Sequence, residues 1–518
     1  MSMALTLLTL LPLLGALAVA SLPAGRKELA RRLGLGFSLA AMGLAMLLWN
    51  QFDAAASFNF VEQYSWIPSW NLKYHVGVDG LGMLMVVLTA LVIPFSLVSS
   101  WHIEDQPKVY FALVLGLEAG LFGVFTALNF FHWFIFWELS LIPAYFLIKL
   151  WGGTLRTPAA MQFFIYTMVG SVAMLLAFQA LYLATGTFDF ATLARLAKSG
   201  QLSQSMAALA QNHGWKNGLG QWMPTLIFGG VFLGLAVKVP LIPFHTWLPA
   251  AYAEAPAGTS MILTGVLSKM GVYGFLRLLL PVFPHEMQAL LPWLLGLAVL
   301  TIVASAGAAM AQKDLKRVVA YSSINHLGYC LLGIFAAAQA TDARPLWADE
   351  KAAALNGVIL QMFNHGISAS ALFCFVGLIE RRAGGRRGLE DFGGLRQIAP
   401  VFAGLMGITV FSSLGLPGLN GFIGEFLIFK GAFSLVSWAA VLSVAGLLLT
   451  AIFLLTLLQK VFNGPLNERW SGFPDLSLGE RVMLAPVIAI IFIVGIYPQC
   501  ILGAINSSVM QMVSNLAR

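Results

Sequence analysis

The sequence predicts an all-α polytopic membrane protein of about fourteen transmembrane helices, and three observations carry that prediction. First, its 518 residues are 59% hydrophobic and only 10% charged, with a mean hydropathy of +0.83. Soluble domains carry roughly 25% charge. Second, apolar runs of about 20 residues, enough to cross a hydrocarbon core, recur along the whole chain and leave no soluble domain over. Third, the basic residues behind the net charge of +7 fall in alternate connections: Arg26, Lys27, Arg31 and Arg32; Lys313, Lys316 and Arg317; Arg381, Arg382, Arg386, Arg387 and Arg396; Lys460, Arg469 and Arg481. That alternation is a membrane-orientation pattern rather than a nucleic-acid surface. It puts those loops in the cytoplasm and both termini outside.

In order, the expected spans are 3–22, 33–50, 80–100, 109–127, 129–150, 158–185, 222–248, 257–282, 289–311, 318–338, 352–379, 400–433, 437–461 and 482–498. In the first, Ala18-Val19-Ala20 resembles a leader cleavage site. A leader carries its positive charge before the apolar run, and here the charge comes after it, so a retained helix is expected. Segments 50–79 and 186–221 are the longer extracytoplasmic connections. The second, rich in Ala, Gln and Ser, is expected as a surface loop with one short helix. Residues 501–517 are expected to form a short interfacial helix. Cys330, Cys374 and Cys500 are isolated, without metal or cluster spacing, and read as small buried thiols.

Two spans are interrupted. Stretch 228–256 begins as an apolar helix, places Lys238 in its middle and then carries Pro240, Pro243 and Pro249. Each proline removes a backbone donor and disfavours the helical conformation of the residue before it. A broken helix at membrane depth is tolerated only where its freed carbonyls face protein or water. Stretch 402–433 is broken at GLPGLNGF, residues 415–422, and continues at once into Gly424 and Glu425. The two breaks lie five spans apart, an odd number, so they sit in opposite orientations, a pointer to an inverted repeat with its functional centre at the breaks.

Ionisable residues inside spans carry the chemistry, because each costs about 2.5 to 3.5 kcal/mol at a helix centre. Glu138, in HWFIFWELSLIP, is about 14 Å into its helix at 1.5 Å per residue. Lys238 sits at the first break, Lys269 in the middle of the eighth span, and Glu425 just after the second break. Glu138 and Lys238 either neutralise each other as a docking pair or act together in proton transfer. An opposite charge favours the charged form of a buried group, so the acid can govern whether the lysine keeps its proton. His326 in SSINHLGYC and His365 in MFNHGISAS lie among Ser, Asn and Tyr, and read as relay or packing residues. His245 in PFHTWLP either lines the first break or faces the cytoplasmic interface. Glu118 has no obvious local partner. Lys149 and Lys430 lie near span ends, where snorkelling explains them. Lys430 is five residues from Glu425, about 140° around a helix, which does not favour a bridge between them.

The stretches KVPLIPFHTWLPAAYAEAPAGTSMILTGVLSKMGVYG, FWELSLIP, QKDLKRVVAYSSINHLGY and GLPGLNGFIGEFLIFKGAF resemble the antiporter-like membrane subunits of respiratory complex I, the proton-translocating NADH-quinone oxidoreductase. The resemblance runs from about the third span to the fourteenth. The acid Glu425 is similar to the M, or chain 4, type, whereas the L and N types and Mrp antiporter chains usually carry a lysine there. The L type also has a long C-terminal lateral helix, for which this sequence leaves no room. The resemblance implies one transmembrane domain over 1–518, with inverted five-helix repeats at about 109–282 and 289–461. Glu138 and Lys238 are then the proton input, Lys269 the central connection, Glu425 the exit, and His326 and His365 the residues of a hydrated axis, with His245 a further relay candidate. FMN, iron–sulfur clusters and quinone chemistry would belong to partner subunits, with L- and N-type subunits as neighbours in a bacterial plasma membrane. No cofactor or metal ligand set is expected in this chain, which lacks GxGxxG and cluster-binding cysteines.

Three functional classes are compatible with these residues. One is a proton-pumping subunit of a redox-driven complex, including related hydrogenase or ferredoxin-linked assemblies. Another is an Mrp-type cation/proton antiporter, against which Glu425 argues. The third is a passive anchor whose charges only dock helices.

Overall fold

The computed structural model describes residues 3–23, 25–212, 219–341 and 345–516. Among these, twelve helices are long and apolar enough to cross a membrane: Ala4–Ser21, Lys27–Asn50, Gly80–Ser99, Pro107–Thr126, Phe130–Trp151, Arg156–Thr185, Ala257–Val282, Leu291–Met310, Leu315–Ala337, Leu346–Arg382, Ser437–Phe462 and Leu478–Ile496. Two shorter apolar helices, Trp222–Lys238 and Pro400–Ser413, begin the interrupted seventh and twelfth spans. Helix is the only repeating structure that satisfies backbone groups within one segment in hydrocarbon. Polar side chains set the ends. Asp79 accepts from the Gly82 amide at 2.9 Å, Asn129 from His132 at 2.9 Å and Asp314 from Arg317 at 3.0 Å.

The eighth, tenth and eleventh spans form the core, each 94% buried over its most apolar stretch, with the third beside them at 89%. The first, second, thirteenth and fourteenth leave an apolar flank bare. A helix enclosed on all sides is where ionisable groups are shielded, and Lys269, His326 and His365 lie on three of these four. The eighth span is not regular. Its Leu263–Leu267 and Phe275–Leu279 segments are π turns on either side of Lys269.

The connections differ from expectation. Segment 50–79 contains an antiparallel hairpin, Asn59–Ile67 with Leu72–Val78, turned at Asn71 with φ 48°. Its Glu62 accepts from the Leu5 amide at 2.8 Å and so caps the first helix. Segment 186–221 holds two helices rather than one, Phe190–Lys198 and Gln201–Asn212, capped at Asp189; residues 213–218 lie outside the described residues. The expected terminal helix is Gln499–Leu516, whose Ser508 Oγ accepts from the Gly80 amide at 2.9 Å and ties it to the third span; Ala517 lies outside the described residues. Cys330 and Cys374 are buried, but Cys500, at the start of that helix, is exposed.

Candidate functional site

The first break comes directly after Lys238. The carbonyls it frees find protein partners: Trp247 Nε1 donates to Val237 at 2.9 Å and the Leu241 amide to Ala236 at 2.9 Å. The Ile242 amide donates to Thr301 Oγ1 at 3.1 Å, pinning the break to the ninth span. The second break ends Pro400–Ser413 with a left-handed Gly415, φ 77°, and the Leu416 amide reaches back to the Phe411 carbonyl at 3.0 Å. That six-to-one bond with a left-handed residue is a Schellman ending, which glycine adopts without strain. The helix restarts at Asn420, whose side-chain oxygen accepts from Ser412 and, at 3.3 Å, from Ser368. Asn364 Nδ2 donates to the Asn420 carbonyl at 2.5 Å, so both ends of the break are fastened to the eleventh span.

These breaks and the core helices bring four of the expected residues into one continuous run. Lys269 is fully buried and donates from Nζ to the Thr264 carbonyl, inside the first π turn, and to His365 Nδ1 at 2.6 Å. The His365 and His326 rings are 5.1 Å apart. His326 Nδ1 lies 3.1 Å from Glu425 Oε1, close enough for an ion pair but outside hydrogen-bond angles. Gln361 Nε2 donates to the same carboxylate oxygen at 3.1 Å. An ammonium only donates, so the Nδ1 facing Lys269 is an acceptor and a neutral His365 carries its proton on Nε2. The run passes through the eighth, eleventh, tenth and twelfth spans.

Three of the expected residues stand apart from it, Lys238 and Glu138 first. Lys238 is buried, and its ammonium lies 4.9 Å from the centre of the Trp137 ring. Glu138 acts on it electrostatically. No ion pair joins them among the described residues, so the docking-pair alternative has no contact behind it. The reason is helical geometry, because successive residues point about 100° apart. Trp137 faces inward, held by Ser171 Oγ at 3.0 Å, while Glu138 turns sideways and is half-buried, with Oε1 lacking a hydrogen-bond partner.

His245 lies in the first break, half-buried, with its ring 6.4 Å from that of Tyr321. Glu118 does have a partner, Ser38 Oγ of the second span at 3.0 Å, which a single sequence gives no means of pairing with it. Lys430 bridges to Glu350 at 3.0 Å rather than to Glu425. Two further residues were not singled out, although Arg277, an ionisable residue inside a span, carried the signal that could have found it. Gln361 is uncharged, and Arg277, inside the eighth span, is paired with Asp79 at 2.5 Å.

Residues 127–452 match the family model described as NADH:quinone oxidoreductase/Mrp antiporter, transmembrane. NADH-quinone oxidoreductase subunit M of Rhodobacter capsulatus is 36% identical, over 99% of this chain and 96% of that protein. The chain belongs to the NADH-quinone oxidoreductase subunit M family. Subunit M of Mycobacterium tuberculosis is 33% identical over 98% of this chain and 93% of its own length. Among solved structures, this subunit M family chain is similar to one in respiratory complex I from Thermus thermophilus with bound NADH, at a TM-score of 0.84 and 26% identity, covering 99% of this chain and 100% of that one. A chain of the Mrp complex from Dietzia sp. gives a TM-score of 0.79 at 19% identity, covering 100% and 98%, and shares the fold. As a subunit M family chain it is a polytopic membrane subunit of complex I.

Proposed function

We propose that this subunit moves protons across the membrane along the buried row, driven by electron transfer in partner subunits of complex I. The observation that carries the reading is the run Lys269, His365, His326, Glu425, in which every neighbour is a group able to give or take a proton. Lys269 Nζ gives its proton to His365 Nδ1, and His365 releases the proton on Nε2 toward His326. His326 in turn protonates Glu425, the terminal carrier. Each step breaks one N–H bond and forms one N–H or O–H bond, and none needs an oxidant. Glu138 and Lys238 form the input to this run, Lys238 passing protons on and Glu138 biasing its loading through its field, and His245 serves at the cytoplasmic entry.

The two five-helix repeats, at about 109–282 and 289–461, place one break in each half of the pathway. By the distribution of basic loops, the termini face the periplasm of a bacterial plasma membrane. The neighbours in the complex are the L- and N-type antiporter-like subunits. The test is NADH-driven proton uptake by vesicles containing the whole complex with Lys269→Met, which keeps apolar length and removes the titratable group. Pumping per electron is expected to fall about tenfold with assembly on native gels unchanged. Normal pumping at normal turnover would remove Lys269 from the path.

A further inference from the structure

Gln361 lies on the eleventh span with its side chain 2% exposed. Its Nε2 donates to Glu425 Oε1 at 3.1 Å, and its own Oε1 is buried without a hydrogen-bond partner. A buried amide oxygen left unpaired is disfavoured by about 1 to 3 kcal/mol, so its place beside an ionisable group calls for a reason. The backbone is built to admit it. A Cβ on Gly424 would lie 2.6 Å from Gln361 Oε1 and 3.1 Å from its Cα, so only glycine leaves room for this amide against the twelfth span. The other carboxylate oxygen, Glu425 Oε2, points the opposite way, to within 2.7 Å of where a Cβ on Gly415 would be, at the mouth of the break. Glu425 therefore has one oxygen toward His326 and Gln361 and one toward the break.

We propose that Gln361 is a positioning residue for proton transfer at Glu425, pairing with the carboxyl in both of its protonation states. While Glu425 is ionised, the amide N–H holds Oε1 toward His326. When Nδ1 of a doubly protonated His326 gives its proton to Oε1, the N–H bond breaks, an O–H bond forms, and both groups become neutral. The new O–H is a donor, and a half-turn about the soft terminal torsion of Gln361 swaps its N–H for its unpaired oxygen, which accepts from it. The amide thus keeps the loaded carboxyl from closing back on His326 and leaves Oε2 at the break.

This rests on Glu425 being the terminal carrier, and the experiment separates the two claims. Infrared difference spectra of the working complex are recorded for wild type, Glu425→Gln, Gln361→Met and Gln361→Glu, alongside proton uptake per electron. If no carboxyl band of the wild type is lost in Glu425→Gln, the carrier reading itself fails. If the band is there, Gln361→Met is expected to move it to higher frequency and lower pumping roughly tenfold, the weight of a hydrogen bond to a charged group. Gln361→Glu keeps shape and an acceptor, and is expected to restore part of the pumping. A band unmoved in Gln361→Met, with pumping unchanged, overturns the role of Gln361 and leaves Glu425 standing. Should Gln361→Met not assemble, Gln361→Ala, which removes the amide without adding bulk, takes its place, and an unmoved band there with unchanged pumping overturns the proposal.

Discussion

The two ends of the buried row are built differently. From Lys269 to Glu425 the groups are in contact or nearly so, the first three on helices enclosed on every side, with Gln361 and the clamped break fixing the last of them. From Glu138 to Lys238 no ion pair forms among the described residues, an aromatic ring lies beside the ammonium, and the acid is half-buried. Contact makes a path for a proton, whereas separation leaves only a field, which can bias loading without carrying anything. The same residue types therefore do different work according to what packs between them.

That contrast is most exposed at Glu425. Glu425→Gln keeps the hydrogen bond with Gln361 but cannot be protonated, and pumping per electron in vesicles should fall tenfold or more, the scale of a lost proton donor or acceptor. Glu425→Asp should retain part of it. Equal pumping in all three would make the connected end as passive as a docking pair. A smaller effect is expected where only the field changes. Glu138→Gln should reduce pumping roughly threefold, about 0.7 kcal/mol at 1.4 kcal/mol per decade, and Glu138→Asp less, while Lys238→Met should exceed both. If Glu138→Gln costs as much as Glu425→Gln, the two ends are not different in kind.

Smaller still is Lys430→Met, since its bridge to Glu350 is 46% exposed on the lysine side. Such pairs are worth about 0 to 1 kcal/mol, so pumping should stay within about twofold of wild type by the same assay. A large loss would extend the connected run outward.

The least effect concerns how the twelfth span is anchored. Asp475 accepts from the Val401 and Phe402 amides at 3.1 and 2.8 Å at the start of that span. Partial burial works against its ionisation, but those amides, that of Leu476 and the charge of Arg481 together hold the carboxyl below its usual range. Because the folded value is the lower one, the stabilisation is complete above the unfolded value near 3.9 and is lost as pH falls through the folded value. Melting of the purified complex should show a small gap between wild type and Asp475→Asn that closes toward low pH. A gap independent of pH would mean that the charge is not what anchors the helix.

Much of this was legible in one sequence, for physical reasons. Spans, breaks and ionisable residues are announced by composition and by proline, because hydrocarbon tolerates so few alternatives. Glu425 and Lys269 stood out as charges in apolar runs. What was not legible depends on pairing between distant helices. Gln361 carries no charge to draw notice, Ser38 is an ordinary small residue, and the hairpin at 59–78 lacks a clean apolar alternation. The placement of Trp137 rather than Glu138 against Lys238 turns on helix rotation, to which depth counted along a sequence is blind. Arg277 carries a charge inside a span but lies near its end, where a basic residue is unremarkable until its acid is found.

The π turn before Lys269 also has a meaning in terms of descent. A π turn is what an α-helix becomes when it takes in one residue without growing longer. Were the extra residue of Leu263–Leu267 carried as ordinary α-helix instead, the span would keep its composition yet rotate the Lys269 half of the helix by about 100° against its first turns. Lys269 and His365 would then part, although no charged residue had been altered. The proximity of that pair is thus encoded partly in where the helix takes up its extra residue, not only in which side chains it carries.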